Sequence, residues 1–210
     1  MYSPGVSVDM KYLAAIFLGV VGCAAPLPCG EGEASLDLDG DPEALYRGDV
    51  LPQFSLTIGE AAMADLPISQ QDDSPEVHAD FAFRGEISDV GLSLKGHSSF
   101  RPISEKAAFK IDFAEWDDAG SLHGIRRLTL NNMVSDQSKL AEELGYALYE
   151  LAGLPAARHG FACLEVNGED YGLYGVVETM DEQFVARAFQ DPSGTLYEAN
   201  AQADFFPGGI

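Results

Sequence analysis

The sequence predicts an α+β fold, in which a mostly antiparallel sheet is packed by one main helix. Three observations support this prediction. Several short segments alternate apolar and polar residues, one longer segment repeats leucine at helical spacing, and Asn167-Gly168 separates two of the alternating segments. Alternation with a period of two is typical of a half-buried strand, and an Asn-Gly pair between such segments favours a hairpin.

The alternating segments are the predicted strands. In the segment 108–113, Phe109 and Ile111 share one face, whereas Lys110 and Asp112 share the other. Side chains that alternate in this way bury one face of a sheet and expose the other. The same pattern predicts strands over 54–58, 77–84, 90–94, 125–130, 161–166, 171–177 and 194–198.

The longest helix is predicted over 136–152. Asp136 can cap its first turn, and Gly153 and Pro155 stand where a helix ends. Four leucines form one apolar stripe along it: Leu140, Leu144, Leu148 and Leu151. We expect this stripe to pack against the sheet, because a helix of a globular domain turns its apolar face to the core. Two shorter helices are predicted over 60–66 and 180–189.

Composition and charge limit the class of protein. The chain has 210 residues, of which 46% are hydrophobic, so it is long enough for one globular domain with a tail. It carries 34 acidic and 12 basic residues, and its formal net charge is −22. A nucleic-acid-binding protein needs a basic surface to neutralise phosphates, so no nucleic-acid partner is predicted. The cysteines form no CxxC pair, and no structural zinc site is predicted.

The N-terminus has the pattern of an export signal. Residues 12–21 are all apolar or aromatic, a run too short to span a bilayer and typical of a signal peptide. We predict a signal peptide over 1–23, with translation starting at Met10. The run ends in VVGC, which is similar to a bacterial lipobox, so we expect lipidation of Cys23. The alternative is an ordinary secretory signal, and both interpretations place the protein outside the cytoplasm.

Residues 24–50 are predicted to be an acidic, flexible tether, and 51–210 to be the folded domain. The tether is rich in Gly, Pro, Asp and Glu. Three of its aspartates alternate, but the EF-hand positions for Gly and Glu hold Pro42 and Gly48, so no calcium site is predicted. The sequence leaves open whether Cys29 and Cys163 form a disulfide or remain free thiols.

One stretch of the chain is a candidate anion site. Six of the 12 basic residues fall within 33 residues that hold five acidic ones, although the chain as a whole is strongly acidic. Inside this stretch, Ser98 and Ser99 follow a glycine in a turn, where hydroxyl and backbone N–H groups can bind an anion. Arg101 and Lys106 can supply the positive charge. An ordinary hairpin loop is the alternative interpretation of the turn.

Five motifs in chain order carry a family resemblance. They comprise 91–101 with 106–111, 128–132 with 136–138, 153–156, 166–174 with Glu178, and 194–197. Together they resemble the CotH family, the spore-coat-protein-H-like kinases. In that family a Gly-x-Ser-Ser turn precedes a Lys-Lys-Ser-Phe/Tyr-x-Ile segment, and a Gly-Asn-Leu-Tyr motif follows. The resemblance runs from about residue 54 to the C-terminus and covers the N-terminal portion of the family's domain.

The resemblance implies an atypical kinase-like fold, of which this chain would be the N-terminal lobe, and transfer of phosphate from ATP to protein. It implies ATP and Mg²⁺ as cofactors. The turn with Ser98, Ser99 and Arg101 would lie over the nucleotide phosphates, and Lys106 would pair with them. A glutamate on the main helix would hold Lys106. Motif position makes this Glu142, whereas helical geometry places Glu143 beside the apolar stripe and leaves it as the alternative.

Two departures from the family pattern limit the expected activity. Ala107 stands where the family often has a second lysine. The family's catalytic and metal-binding aspartates have no match, so no catalytic or metal-binding residue is predicted in this chain. We therefore predict a truncated fragment that is inactive alone but belongs to a protein kinase at full length. The alternative is a surface-attached structural or binding lipoprotein that keeps the fold without catalysis.

Overall fold

The computed structural model describes residues 29, 36–39, 41–47, 50–69 and 74–197 of the chain. The predicted signal peptide, the start at Met10 and the lipidation site Cys23 lie outside these residues. The predicted strand over 194–198 is wrong for its described part, because residues 194–197 have no strand structure. The other seven predicted strands are confirmed, with small changes of their ends.

The seven strands form one closed barrel. They are β1 (Gln53–Ile58), β2 (Val77–Phe83), β3 (Glu86–Lys95), β4 (Ala108–Asp112), β5 (Arg127–Asn131), β6 (His159–Val166) and β7 (Glu169–Glu178). Their order around the barrel is β1-β2-β3-β4-β5-β7-β6, and β6 returns to β1. All neighbours are antiparallel except β1 and β6, which are parallel.

The predicted fold class is wrong. We expected an α+β fold, mostly an antiparallel sheet with one main packed helix, as in a kinase-like N-terminal lobe. The parallel pairing of β1 with β6 instead joins the two edges of the sheet, with Gln53 opposite Cys163 and Leu56 opposite Val166. A period of two shows which face of a strand is buried, but it does not show whether the outer strands pair with each other.

The helices within the described residues are few and short. They are α1 (Glu60–Asp65), α2 (Ala141–Leu151) and α3 (Glu182–Ala188), and a 3-10 helix spans Pro42–Tyr46. The predicted packing of the main helix is wrong, because α2 buries no residue. Its leucine stripe faces away from the barrel: Leu140, Leu144, Leu148 and Leu151 are 48%, 53%, 66% and 67% exposed. The core is therefore made by the barrel and not by the helix.

The interior of the barrel is filled by aromatic and aliphatic side chains. The Phe54 ring lies 5.0 Å from that of Phe81 and 5.3 Å from that of Phe83, measured between centroids. All three are buried, as are Leu128 and Leu130 on β5. Each such side chain contributes about 1.5–3 kcal/mol by leaving water. This packing makes the barrel a rigid support for the loops at its rim.

Part of the segment before β1 packs against the barrel. Leu38, Leu45 and Tyr46 are buried and belong to the same hydrophobic core. Cys29 forms a disulfide with Cys163 on β6. The sequence did not show whether these two cysteines are bonded or free, and in the structure they form a disulfide.

Candidate functional site

The turn after β3 carries the two serines of the predicted anion site. Gly96 has a φ of +120°, and a Cβ atom at this position would lie 3.0 Å from the backbone nitrogen of Phe100. The turn is closed by a hydrogen bond from the Phe100 N–H to the His97 carbonyl, 3.2 Å long. Glycine is therefore needed here for both conformation and space. Ser98 is exposed and Ser99 is half-buried.

Arg101 lies next to this turn, but its guanidinium group already has partners. It donates to the carbonyl of Phe100 at 2.5 Å, and its Nε lies 3.5 Å from a carboxylate oxygen of Glu105. Both side chains of this ion pair are exposed by more than a third. Water screens such a pair, so an anion could compete with Glu105 for Arg101 at little cost.

Lys106 reaches across to β7. Its ammonium group donates to the carbonyl of Leu173 at 2.7 Å and lies 4.9 Å above the ring of Tyr174. Burial lowers the pKa of Lys106, the charge of Lys139 lowers it further, and Asp170 partly opposes this. The site thus holds a half-buried cation beside a second cation.

Two tyrosines of β7 fix the segment that carries Lys106. The hydroxyl of Tyr171 donates to the carbonyl of Ile103 at 2.5 Å, and that of Tyr174 donates to the carbonyl of Ala107 at 2.6 Å. Tyr174 is fully buried. Because both ends of the segment 103–107 are anchored on the barrel, the backbone at Lys106 has a fixed position.

Asn132 joins the serine turn to the lysine segment. Its side-chain amide donates to the carbonyl of Ser99 at 3.0 Å and to the carbonyl of Lys106 at 2.8 Å. Asn132 is only 2% exposed, so water cannot replace these hydrogen bonds easily. The structure therefore brings two of the predicted site residues, Ser99 and Lys106, to one place.

The structure does not join Lys106 to Glu142 in an ion pair. One carboxylate oxygen of Glu142 accepts a 2.6 Å hydrogen bond from the side-chain amide of Asn131. The oxygen of the same amide accepts a 2.6 Å hydrogen bond from the ammonium group of Lys95. Glu142 is thus connected to Lys95, through Asn131, and not to Lys106.

The alternative glutamate, Glu143, has a different partner. Its carboxylate lies 2.7 Å from Nδ1 of His159 on β6, and His159 is buried. The Nε2 atom of His159 lies 3.9 Å from Glu142, and the ring of Tyr146 lies 6.0 Å from the imidazole between centroids. The face of α2 that meets the barrel is therefore acidic and aromatic.

Several residues of this site were missed by reasoning from the sequence. Tyr171, Tyr174, Asn132 and Lys139 were not predicted to contribute to it. One available signal was the Asn131-Asn132 pair at the end of a predicted strand, because two polar amides directly after buried residues must find hydrogen-bond partners. The two tyrosines gave no such signal, since strand alternation alone explains them.

The described residues contain neither a cluster of metal ligands nor a membrane-spanning helix. No group of three or more His, Cys, Asp or Glu side chains in the described ranges is placed to hold a metal ion. Within the same part of the chain, none of the helices combines the length and apolar character needed to cross a membrane.

These features define a class of protein: a β-barrel domain with a cationic, half-buried site beside a glycine-serine turn. The family model described as CotH kinase protein matches residues 92–207, more than half of the chain. The chain therefore belongs to the CotH family, which confirms the resemblance predicted from the motifs. It is also similar to the inner spore coat protein H of Bacillus subtilis (strain 168), with 24% identity over 155 residues. That match covers 74% of this chain and 41% of the relative.

Proposed function

We propose that this protein is an exported member of the CotH family that binds ATP and acts in phosphate transfer to protein. The description of the family as a kinase supports the activity. The geometry around Asn132 supports the binding site, because this buried amide holds Ser99 and Lys106 together. This is the single observation on which the proposed site depends.

The charge of the site suits a phosphate ligand. In a chain of net charge −22, the ammonium group of Lys106 pairs with a backbone carbonyl, and no described carboxylate oxygen lies within 4.0 Å of it. Ser98, Ser99 and Arg101 would bind phosphate oxygens beside it, as the family resemblance implies. Glu142 would act on this site only indirectly, since one of its oxygens accepts from Asn131, whose own amide oxygen accepts from Lys95.

ATP, when bound, supplies the phosphoryl group that such a reaction transfers. The role of this chain would be to bind and orient the phosphates. The described residues offer no group of ligands for Mg²⁺, and the proposal assigns none of them to the metal. The proposed substrate is a protein hydroxyl.

The proposed location is outside the cytoplasm. The Cys29–Cys163 disulfide supports it, because disulfides persist in oxidising compartments. The name of the similar Bacillus protein, an inner spore coat protein, agrees with a surface location. Membrane attachment would depend on lipidation of Cys23. A fatty-acid analogue should label the wild type and not Cys23→Ser, whereas equal labelling of both would favour the plain secretory signal.

Nucleotide binding can be tested directly with the full chain. We expect ATP to give a saturable response in a ligand-detected NMR titration, and Lys106→Met to weaken it. Lys110→Met is the matched control, because Lys110 is an exposed lysine on the neighbouring strand β4. Equal binding by Lys106→Met would remove Lys106 from the site. Failure of the wild type to bind ATP would contradict the proposal and favour a non-catalytic structural or binding module.

A further inference from the structure

Lys139 lies in a strained loop beside the site. The loop 133–139 follows Asn132, and Met133 and Lys139 both have positive φ angles, 51° and 61°. Residues other than glycine adopt this conformation rarely, and they do so often at functional sites. The ammonium group of Lys139 donates to the carbonyl of Met133 at 2.5 Å, which closes the loop. The position of this cation is therefore fixed by the fold.

Two adjacent residues, Asn132 and Met133, each contact one of the two lysines. Asn132 donates to the carbonyl of Lys106, and the next residue, Met133, accepts from the ammonium group of Lys139. Asn131 on β5 pairs with Gly175 on β7, and the two carbonyls that accept from the ammonium groups, those of Met133 and Leu173, each lie two residues from this pair. The charge of Lys139 lowers the pKa of Lys106, after the larger effect of burial. Asp170 is the acidic group that acts on Lys106 in the opposite direction.

Within the described part of the chain, neither cation has a carboxylate as a direct partner. Among the described residues, no carboxylate oxygen lies within 4.0 Å of either ammonium group. Each ammonium has three donors, and one hydrogen bond to a carbonyl leaves two for a ligand. Two like charges that the fold keeps close together repel each other, and a bound anion with several negative charges removes this repulsion.

We propose that Lys139 is a second phosphate-binding residue, which acts together with Lys106 on a polyphosphate chain. This inference rests on the proposed nucleotide site and adds a residue and a ligand class to it. Two cations favour a di- or triphosphate over a monophosphate, because each can bind the oxygens of a different phosphate. Adenosine, which has no phosphate, gains nothing from Lys139.

The test uses inorganic tripolyphosphate, ATP and adenosine with the full chain. Lys139→Gln removes the charge and keeps a donor for the Met133 carbonyl, and Lys110→Met is again the control. We expect Lys139→Gln to weaken tripolyphosphate and ATP binding about tenfold or more, the effect of losing one charge-assisted hydrogen bond. Its affinity for adenosine should stay unchanged. Its thermal stability should equal or exceed that of the wild type, since the mutation relieves a repulsion.

The outcomes separate this inference from the proposed function. If the wild type binds neither ATP nor tripolyphosphate, the nucleotide site and the role of Lys139 both fall. If the wild type binds both, Lys106→Met weakens binding and Lys139→Gln does not, only the role of Lys139 is overturned. A lower melting temperature of Lys139→Gln with weaker binding of adenosine as well would show a structural role instead. Lys139→Arg, which keeps the charge, should bind tripolyphosphate nearly as the wild type does.

Discussion

Glu143 and His159 join the main helix to the barrel: a carboxylate oxygen of Glu143 lies 2.7 Å from Nδ1 of His159. The imidazole side chain is 1% exposed, whereas the leucines of α2 face solvent. The helix is thus attached through its acidic face, with Glu142 and Tyr146 around the same imidazole. Polar contacts therefore attach α2 to the barrel, although the sequence predicted attachment through the apolar leucine stripe.

The first prediction tests this attachment. Glu143→Ala leaves Nδ1 of the buried His159 without its partner, which should lower the free energy of unfolding by about 1–3 kcal/mol. It should also speed hydrogen exchange of the α2 amides, measured by mass spectrometry. Leu148→Ala, on the solvent-facing stripe of the same helix, is the control and should change neither by much. Equal exchange in both variants would show that α2 is held by other contacts.

The second prediction concerns the leucine stripe. Leu148 is 66% exposed, so Leu148→Gln should change the free energy of unfolding by less than about 0.5 kcal/mol. Leu130→Ala, at a fully buried position on β5, should cost about 2–5 kcal/mol. Urea unfolding of the two variants gives the comparison. A cost of several kcal/mol for Leu148→Gln would mean that the stripe is buried, as the sequence alone predicts.

The sequence predicted local structure well because local structure has a period. The alternation in 108–113 reflects the burial of Phe109 and Ile111 on one face of β4. This pattern can be recognised without knowing which distant residues pack against it. Closure of the barrel depends on the pairing of β1 with β6, which are about a hundred residues apart. Period-2 patterns contain no information about such a pairing, so the fold class was missed.

The candidate site was likewise predictable where its features are local and not where they depend on distant residues. The glycine-serine turn and Lys106 could be recognised because small residues and a cation in one segment indicate anion binding. The contribution of Asn132 could not, because its two partners, Ser99 and Lys106, are 33 and 26 positions away. Helical geometry alone also did not identify the partners of Glu142 and Glu143, because these partners, Asn131 and His159, lie on the strands β5 and β6.

The third prediction concerns the Cys29–Cys163 disulfide, which links two positions 134 residues apart. A cross-link over so long a loop restricts the unfolded chain, so reduction should lower the free energy of unfolding by about 2–4 kcal/mol. Peptide mapping without reductant should recover the linked pair, and dithiothreitol should lower the melting temperature. Cys29→Ser is the control, and its melting temperature should not respond to dithiothreitol. Two free thiols in the purified, oxidised chain would contradict the prediction.

The fourth prediction is a pH dependence that arises from two acidic side chains over Gly91. A Cβ atom on Gly91 would lie 2.8 Å from a carboxylate oxygen of Glu76 and 2.6 Å from Cβ of Glu115, so the two glutamates pack together on this glycine. Burial, a hydrogen bond with Glu115 and the charge of Glu115 raise the pKa of Glu76, and Arg127 opposes them.

A carboxyl whose pKa is raised in the folded state favours the folded state in its protonated form. Its contribution to stability is complete below the pKa of the unfolded chain and is lost as the pH rises through the raised folded value. Glu115→Gln removes the repulsion and supplies an amide N–H that can donate to the ionised Glu76. We therefore expect this variant to be more stable than the wild type at pH 7–8, with a difference that shrinks toward pH 4. Asp118→Asn makes the same change of net charge at an exposed position and is the control. Melting temperatures across this pH range measure the effect, and equal gains in the two variants would assign it to the overall charge of −22 instead of the pair.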